Sequence, residues 1–397
     1  MVRRRRGRAR GARGGQGGLS VPKGRRAPHA QLFPGVAENQ SMRLVNQTAV
    51  PATVTTSDFE GSTQRIGLLT AKATFRFDDQ GRVELETQEP FPLLAQDKKT
   101  PLGDLPADLQ PRVDASLEVI VLGHAYAPRG RPVSALTVAL TVGQVHRELL
   151  VLGDRSWAPN HKTASPPTPF TRMPLTYGRA FGGTVPISLD QESVFDLCDT
   201  CNKHGLGFDA ERMARDLGGL LKAPRGYPVL PAGYVRRLPN LEDPRAPIVR
   251  WEDVPLPLCW ATVPIDVPLW AVRQARENAK PPPLPPLAEI RRELPSVANY
   301  RAHPDWVIPM PTLAPTIRLE NLLATVPALE ISLPDFGVVV DYTVNGRIGR
   351  RSLIPHMLVL LPDQWRFYVV YRLPFNFQFQ PGDEREFRLG TEPKWFA

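Results

Sequence analysis

Three cysteines in 397 residues exclude a disulfide scaffold. No apolar run approaches the roughly 18–20 residues of a membrane-spanning helix. The basic start runs into glycine and alanine rather than an apolar stretch, so it does not read as a secretory signal. A cytoplasmic location is expected. Nucleotide chemistry lacks its usual marks: nothing matches the phosphate-binding pattern G-x-x-x-x-G-K-[ST] or the G-x-S-x-G nucleophile turn. Gly205-Leu206-Gly207-Phe208-Asp209-Ala210 fits G-x-G-x-x-A, but it follows the polar Cys201-Asn202-Lys203-His204 rather than a strand that would aim the glycines at a pyrophosphate. The 7 histidines and 40 acids are scattered along the chain and name no acid–base pair. These readings predict a protein that is not an enzyme and needs no cofactor.

What the chain has in excess is proline, at 44 residues, about twice the usual share. Proline removes backbone donors and fixes φ, which disfavours long helices and suits short strands with ordered connections. The net charge of +9 is concentrated at one end. Nine arginines (Arg3, Arg4, Arg5, Arg6, Arg8, Arg10, Arg13, Arg25, Arg26) and Lys23 precede residue 27 with no acid among them, so the rest of the chain is near neutral. Residues 1–41 are read as a disordered Arg/Gly-rich arm, because this composition cannot bury enough apolar area to offset ordering entropy. Such an arm could contact nucleic acid or anionic lipid. A solvated tail, or a start at Met42, is the favoured reading, since aromatics are not interleaved with the arginines.

From Met42 the pattern is β. Phe75 and Phe77 alternate with Thr74 and Arg76, Asp78–Gly81 turns, and Val83 and Leu85 alternate with Glu84 and Glu86, which predicts a hairpin with one wet face. Leu136, Val138, Leu140 and Val142 alternate before Gly143-Gln144, and His146–Leu152 returns. Leu117–Leu122 is apolar except for Glu118 and reads as a buried strand. Near the C-terminus Val338–Val344 meets Asn345-Gly346, a strong hairpin-turn signal, and Arg347–Leu353 returns. Met357–Leu361 and Trp365–Leu373 complete a meander with one strongly apolar face, formed by Trp365, Phe367, Val369 and Tyr371. Helical spacing appears over Asp209–Lys222, weakened by Gly218 and Gly219, and over Pro268–Lys280; the prolines of Pro281–Leu287 predict polyproline II.

The expected class is mainly β: antiparallel sheets with a sandwich-like core, a Pro-rich irregular central region and a few short helices. The expected division is the arm at 1–41, an N-terminal β region at 42–155, a Pro-rich central region at 156–310 draped over the core, and a C-terminal antiparallel β region at 311–397 packing with the N-terminal one. Cys198-Asp199-Thr200-Cys201 with His204 is a weak metal candidate, with Cys259 as a distant fourth ligand. Two reduced cysteines in a loop are the favoured reading, because the chain has so few.

Several ordered motifs resemble a known bacterial family of unknown function, number 2169. They are Met42–Thr48, Lys72-Ala73-Thr74-Phe75, Leu122–Pro128 (LGHAYAP), Gly153-Asp154-Arg155-Ser156-Trp157, Met173–Gly183 (MPLTYGRAFGG), Gly205-Leu206-Gly207-Phe208 and Leu238–Pro244 (LPNLEDP). Beyond Pro244 the likeness thins, with Trp270 and Ala314-Pro315 as loose echoes, and it returns in the C-terminal meander. Members are accessory proteins encoded beside type VI secretion effectors. The resemblance implies an adaptor or chaperone that binds a secreted effector and assists its loading onto the VgrG/PAAR spike, with no small-molecule substrate and no catalytic residues. The expected signature is an exposed apolar patch or an unpaired sheet edge that a partner can cover. Tyr126, Tyr177, Arg179, Phe181, Gly182 and Gly183 are the candidate contact residues. The alternative is a nucleic-acid- or membrane-binding protein acting through the basic arm.

Overall fold

A computed structural model describes residues 3–5, 42–58, 64–112, 114–160, 162–190, 192–220, 222, 228–267, 300–311, 313–378 and 383–395. The chain is mainly β. Its largest sheet runs Val307–Pro309, Ser116–Val121, Ile354–Leu361, Arg366–Gln378, Gln64–Phe77 and Ala52–Asp58, with Val83–Leu85 added to Gln64–Phe77. Its two longest strands come from opposite ends of the sequence. Arg366–Gln378 pairs antiparallel with Gln64–Phe77 over thirteen consecutive positions. A five-stranded sheet runs Leu241–Glu242, Val145–Leu152, Ala135–Val142, Thr316–Glu320 and Ala328–Ser332. A four-stranded sheet runs Met42–Asn46, Arg385–Glu392, Gly337–Val344 and Arg347–Ser352. One apolar core joins all three sheets: Leu69 and Phe367 from the first, Val138, Leu149 and Ile317 from the second, Val338, Val340 and Leu389 from the third.

The hairpins form where the alternation and turn residues place them. Val142 faces Val145 across Gly143-Gln144, and Val344 faces Arg347 across Asn345-Gly346. Asn345 and Gly346 both have positive φ (49° and 77°), as the twist-matching two-residue turn requires. The helical spacing over Asp209–Lys222 appears as one α-helix, Ala210–Leu220, whose Ala210, Ala214 and Gly218 are buried. The expected helix at Pro268–Lys280 and the polyproline segment Pro281–Leu287 lie outside the described residues. Of the basic arm, only residues 3–5 are described: their backbone pairs antiparallel with Val194–Asp196.

The two central strands correct one expectation: they are not wet on their second face. Thr70, Lys72 and Thr74 are buried, as are Tyr368, Val370 and Arg372 opposite them. The segment following the first hairpin covers this face. Lys72 Nζ lies 2.5 Å from Asp108 Oδ2 and donates to Pro92 O at 3.0 Å. Thr74 Oγ1 accepts the Phe91 amide at 2.9 Å, and Arg372 Nε donates to Asp108 O at 2.8 Å. At the hairpin end the face opens, and Arg76 and Glu84 pair at 2.9 Å in solvent. Trp365 also departs from its expected place in the apolar row. Its φ of 55° puts it in the turn, and the strand begins at Arg366.

The Pro-rich region contributes to the core as well as covering it. Trp260 and Trp306 are fully buried and meet edge to face, centroids 5.7 Å apart. The carbonyl of Trp260 accepts the Val121 amide at 2.8 Å, which satisfies a buried strand that would otherwise lose that bond. Glu118, the polar interruption in Leu117–Leu122, pairs with buried Arg112 and accepts the Ala302 amide at 2.9 Å.

Candidate partner-binding site

The glycine-rich corner is built by close backbone approach. Phe181-Gly182 runs parallel to Leu206-Gly207. Gly182 has φ 136°, and a Cβ there would lie 2.0 Å from the Asn202 carbonyl oxygen, so only glycine fits. Asn202, fully buried, donates from Nδ2 to the carbonyls of Tyr177 (2.9 Å) and Phe181 (3.0 Å). The G-x-G-x-x-A glycines face protein: Gly205 abuts Ala180 O and Gly207 abuts Pro239. Phe181 packs with Leu238, Ile248 and Trp157. Tyr177, Phe181, Gly182 and Gly183 are therefore buried. Of this loop's candidates, Arg179 alone reaches solvent. It is half-buried and donates to Asp154 Oδ1 (2.9 Å) and Asn240 Oδ1 (3.0 Å).

Tyr126 belongs to a different cluster. The strand His124–Tyr126 pairs with Arg172–Pro174, and Gly123 lets Pro362 approach. His124 Nδ1 lies 2.6 Å from Asp363 Oδ2, and the Tyr126 hydroxyl donates to Asp363 Oδ1 at 2.9 Å. Burial alone would raise the Asp363 pKa, but these hydrogen bonds and the nearby charge of Arg172 hold it below the usual carboxylate range. Burial and the Asp363 carboxylate together push the Tyr126 phenol up to about 12. Tyr126 is thus a neutral donor locked onto a carboxylate, a brace between the sheet and the Pro362–Gln364 turn.

Cys198, Cys201 and His204 do not converge on a common point. Cys198 is half-buried at a strand end, Cys201 is buried, and exposed His204 turns its Nε2 to Asp266 at 3.0 Å. Cys259 is fully buried in the main core, and burial pushes its thiol up to about 12. Among the described residues, no group of three or more His, Cys, Asp or Glu side chains is arranged to hold a metal ion.

The four-stranded sheet ends in a feature that side-chain patterns did not single out. Arg347–Ser352 is its last strand, and among the described residues nothing pairs with its outer edge. Arg347, Ile348, Arg350 and Arg351 are exposed, Ile348 by 83%. Beside this edge, residues of the four-stranded sheet and of the largest sheet together line a cavity of about 450 Å³. Val340, Tyr342, Phe375 and Phe387 line it, with Arg351 and Arg385. The Phe375 and Phe387 centroids are 5.2 Å apart, and the Tyr342 ring lies over Gly349. The sequence did carry a signal: R-I-G-R-R-S lacks the apolar alternation of an interior strand and bears the charges typical of an edge.

No curated protein and no solved structure matches the chain. No helix of the described residues is long and apolar enough to cross a membrane. A family model, DUF2169, described as an uncharacterized protein conserved in bacteria, matches residues 62–372. The match covers Gln64–Phe77, the glycine-rich corner, the open edge and the first half of Arg366–Gln378, and on that extent the chain belongs to this family.

Proposed function

We propose that the protein is a non-catalytic adaptor that holds a secreted effector and assists its loading onto a type VI secretion spike of VgrG and PAAR-type proteins. The observation that carries this reading is the open edge strand beside an apolar cavity. A sheet edge offers unsatisfied backbone donors and acceptors to an extended segment, and an adjoining apolar recess offers area to bury. What supports the type VI setting is the resemblance carried by the motifs of residues 42–244, which implies accessory proteins of secreted effectors. The large buried sheet supports it too, as a rigid frame that needs little reordering on binding.

The test is recovery of partners from the native bacterium with the tagged full-length chain, beside the same chain lacking residues 1–41. The reading expects a toxin-like protein, with or without spike proteins, in near-equal amount to both baits. Nucleic acid or lipid recovered only by the full-length bait, with no such protein on either, would overturn it in favour of the basic arm.

A further inference from the structure

We propose that the strand Arg347–Ser352 is a β-addition site for an extended, acidic segment of the partner protein. The inference rests on the adaptor reading for the partner's biological identity and on the edge geometry for its chemistry. Asn345-Gly346 closes a two-residue turn, so Val344 and Arg347 exchange backbone hydrogen bonds, as do Tyr342 with Gly349 and Val340 with Arg351. The N–H and C=O groups of the alternate residues, Ile348 and Arg350, therefore point away from the sheet. They are the donors and acceptors an incoming strand would take.

Side chains set the chemistry of that strand. Arg347, Gly349 and Arg351 share the face that looks toward the cavity, because they pair with Val344, Tyr342 and Val340. Neither Arg347 nor Arg351 has an ion-pair partner among the described residues, while Arg350 lies 3.6 Å from Asp341 on the outer face. Arginines on an edge deter pairing with neutral or basic strands, and the same charges favour an acidic one. They also disfavour a second copy of this chain, which would set its own arginines opposite these. The complementary segment carries acids opposite Arg347 and Arg351. Opposite Gly349 it carries an apolar side chain, which meets the Tyr342 ring and the mouth of the cavity. A second apolar side chain lies against Ile348.

The probe is a fluorescein-labelled peptide, Ser-Glu-Glu-Val-Val-Glu-Ser, against the same peptide with lysine for each glutamate, titrated by anisotropy with the full-length chain. The account expects saturable binding of the acidic peptide at least ten-fold tighter than the basic one, weakening as salt rises. Arg347→Glu with Arg351→Glu, both exposed, should weaken it at least ten-fold at an unchanged melting temperature. Ile348→Pro, which deletes an outward N–H, should abolish it. Equal binding of the two peptides, no binding of either, or full binding by both variants would overturn the inference. The two readings fail separately. Recovery of a toxin-like partner by wild type and by the double variant alike leaves the adaptor standing and removes the edge, whereas failure of wild type to recover any such partner removes the adaptor.

Discussion

At the scale of single residues, the sheet's second face makes stability depend on pH. His356 sits where the register of Ile354–Leu361 shifts against its neighbour, between Pro355 and Met357, so its ring reaches the Asp114 carbonyl at 2.9 Å. That carbonyl can only accept, so Nε2 carries the proton. Burial, helped by the charges of Arg372 and Arg112, holds this histidine down to about 3 from an ordinary 6.5. Between those values the unfolded chain binds a proton that the folded chain refuses. Stability is full above about pH 6.5 and falls as the pH drops toward 3, by up to about 1.4 kcal/mol per pH unit. His356→Gln keeps a donor for Asp114 and loses the titration. Urea unfolding at pH 7, 6 and 5 should show a shallower decline for the variant, and equal slopes would refute the assignment. The Lys72–Asp108 pair makes a second prediction. Burial pushes Lys72 down and Asp108 up, and their contact offsets that cost. Lys72→Met should destabilise by about 3–5 kcal/mol, and Lys72→Met with Asp108→Asn by clearly less, because the lone buried charge is gone. Chemical denaturation of the two variants decides it. Neither pair was legible in the sequence. Lys72 alternates with Ala71 and Ala73 as a wet-face residue would, and only the return of the 86–112 segment over the sheet buries it.

Among the elements, those whose cues are local were legible. The hairpins at Gly143-Gln144 and Asn345-Gly346 and the helix Ala210–Leu220 needed only alternation, turn residues and 3.6-residue spacing. Order between strands was not legible, because pairing Gln64–Phe77 with Arg366–Gln378 depends on contacts some 300 residues apart. Hence the open edge at Arg347–Ser352 read as an ordinary return strand, and the glycine-rich corner, whose exposed-looking aromatics are packed inside, read as a contact surface. The helix offers a paired test of local packing. A Cβ at Gly218 would lie 2.4 Å from Pro228 Cδ, whereas one at Gly219 meets open space. Gly219→Ala should stabilise by about 0.5–1 kcal/mol through helix propensity, while Gly218→Ala should destabilise. Thermal melts of the two variants should therefore move in opposite directions, and parallel shifts would contradict the packing described.

For the whole molecule, the consequence of that long pairing is shared stability. In the largest sheet the C-terminal pair Ile354–Leu361 and Arg366–Gln378 lies between strands of the 42–155 region, and both regions share one core, so neither 42–155 nor 311–397 should fold alone. Expressed separately, each fragment should be digested within minutes by a protease concentration that spares the full chain. A protease-resistant 311–397 fragment would show that the sheet is not a single cooperative unit. The proposed function lies at the exposed edge of this frame, and what has to be tested is the proposal that a secreted partner docks there. The most direct measurement is recovery from the native bacterium with two full-length baits, wild type and Arg347→Glu with Arg351→Glu, quantified side by side. One toxin-like protein is expected in near-equal amount to the wild-type bait, and at least ten-fold less of it on the variant. No such protein on the wild-type bait, or equal amounts on both, would contradict it.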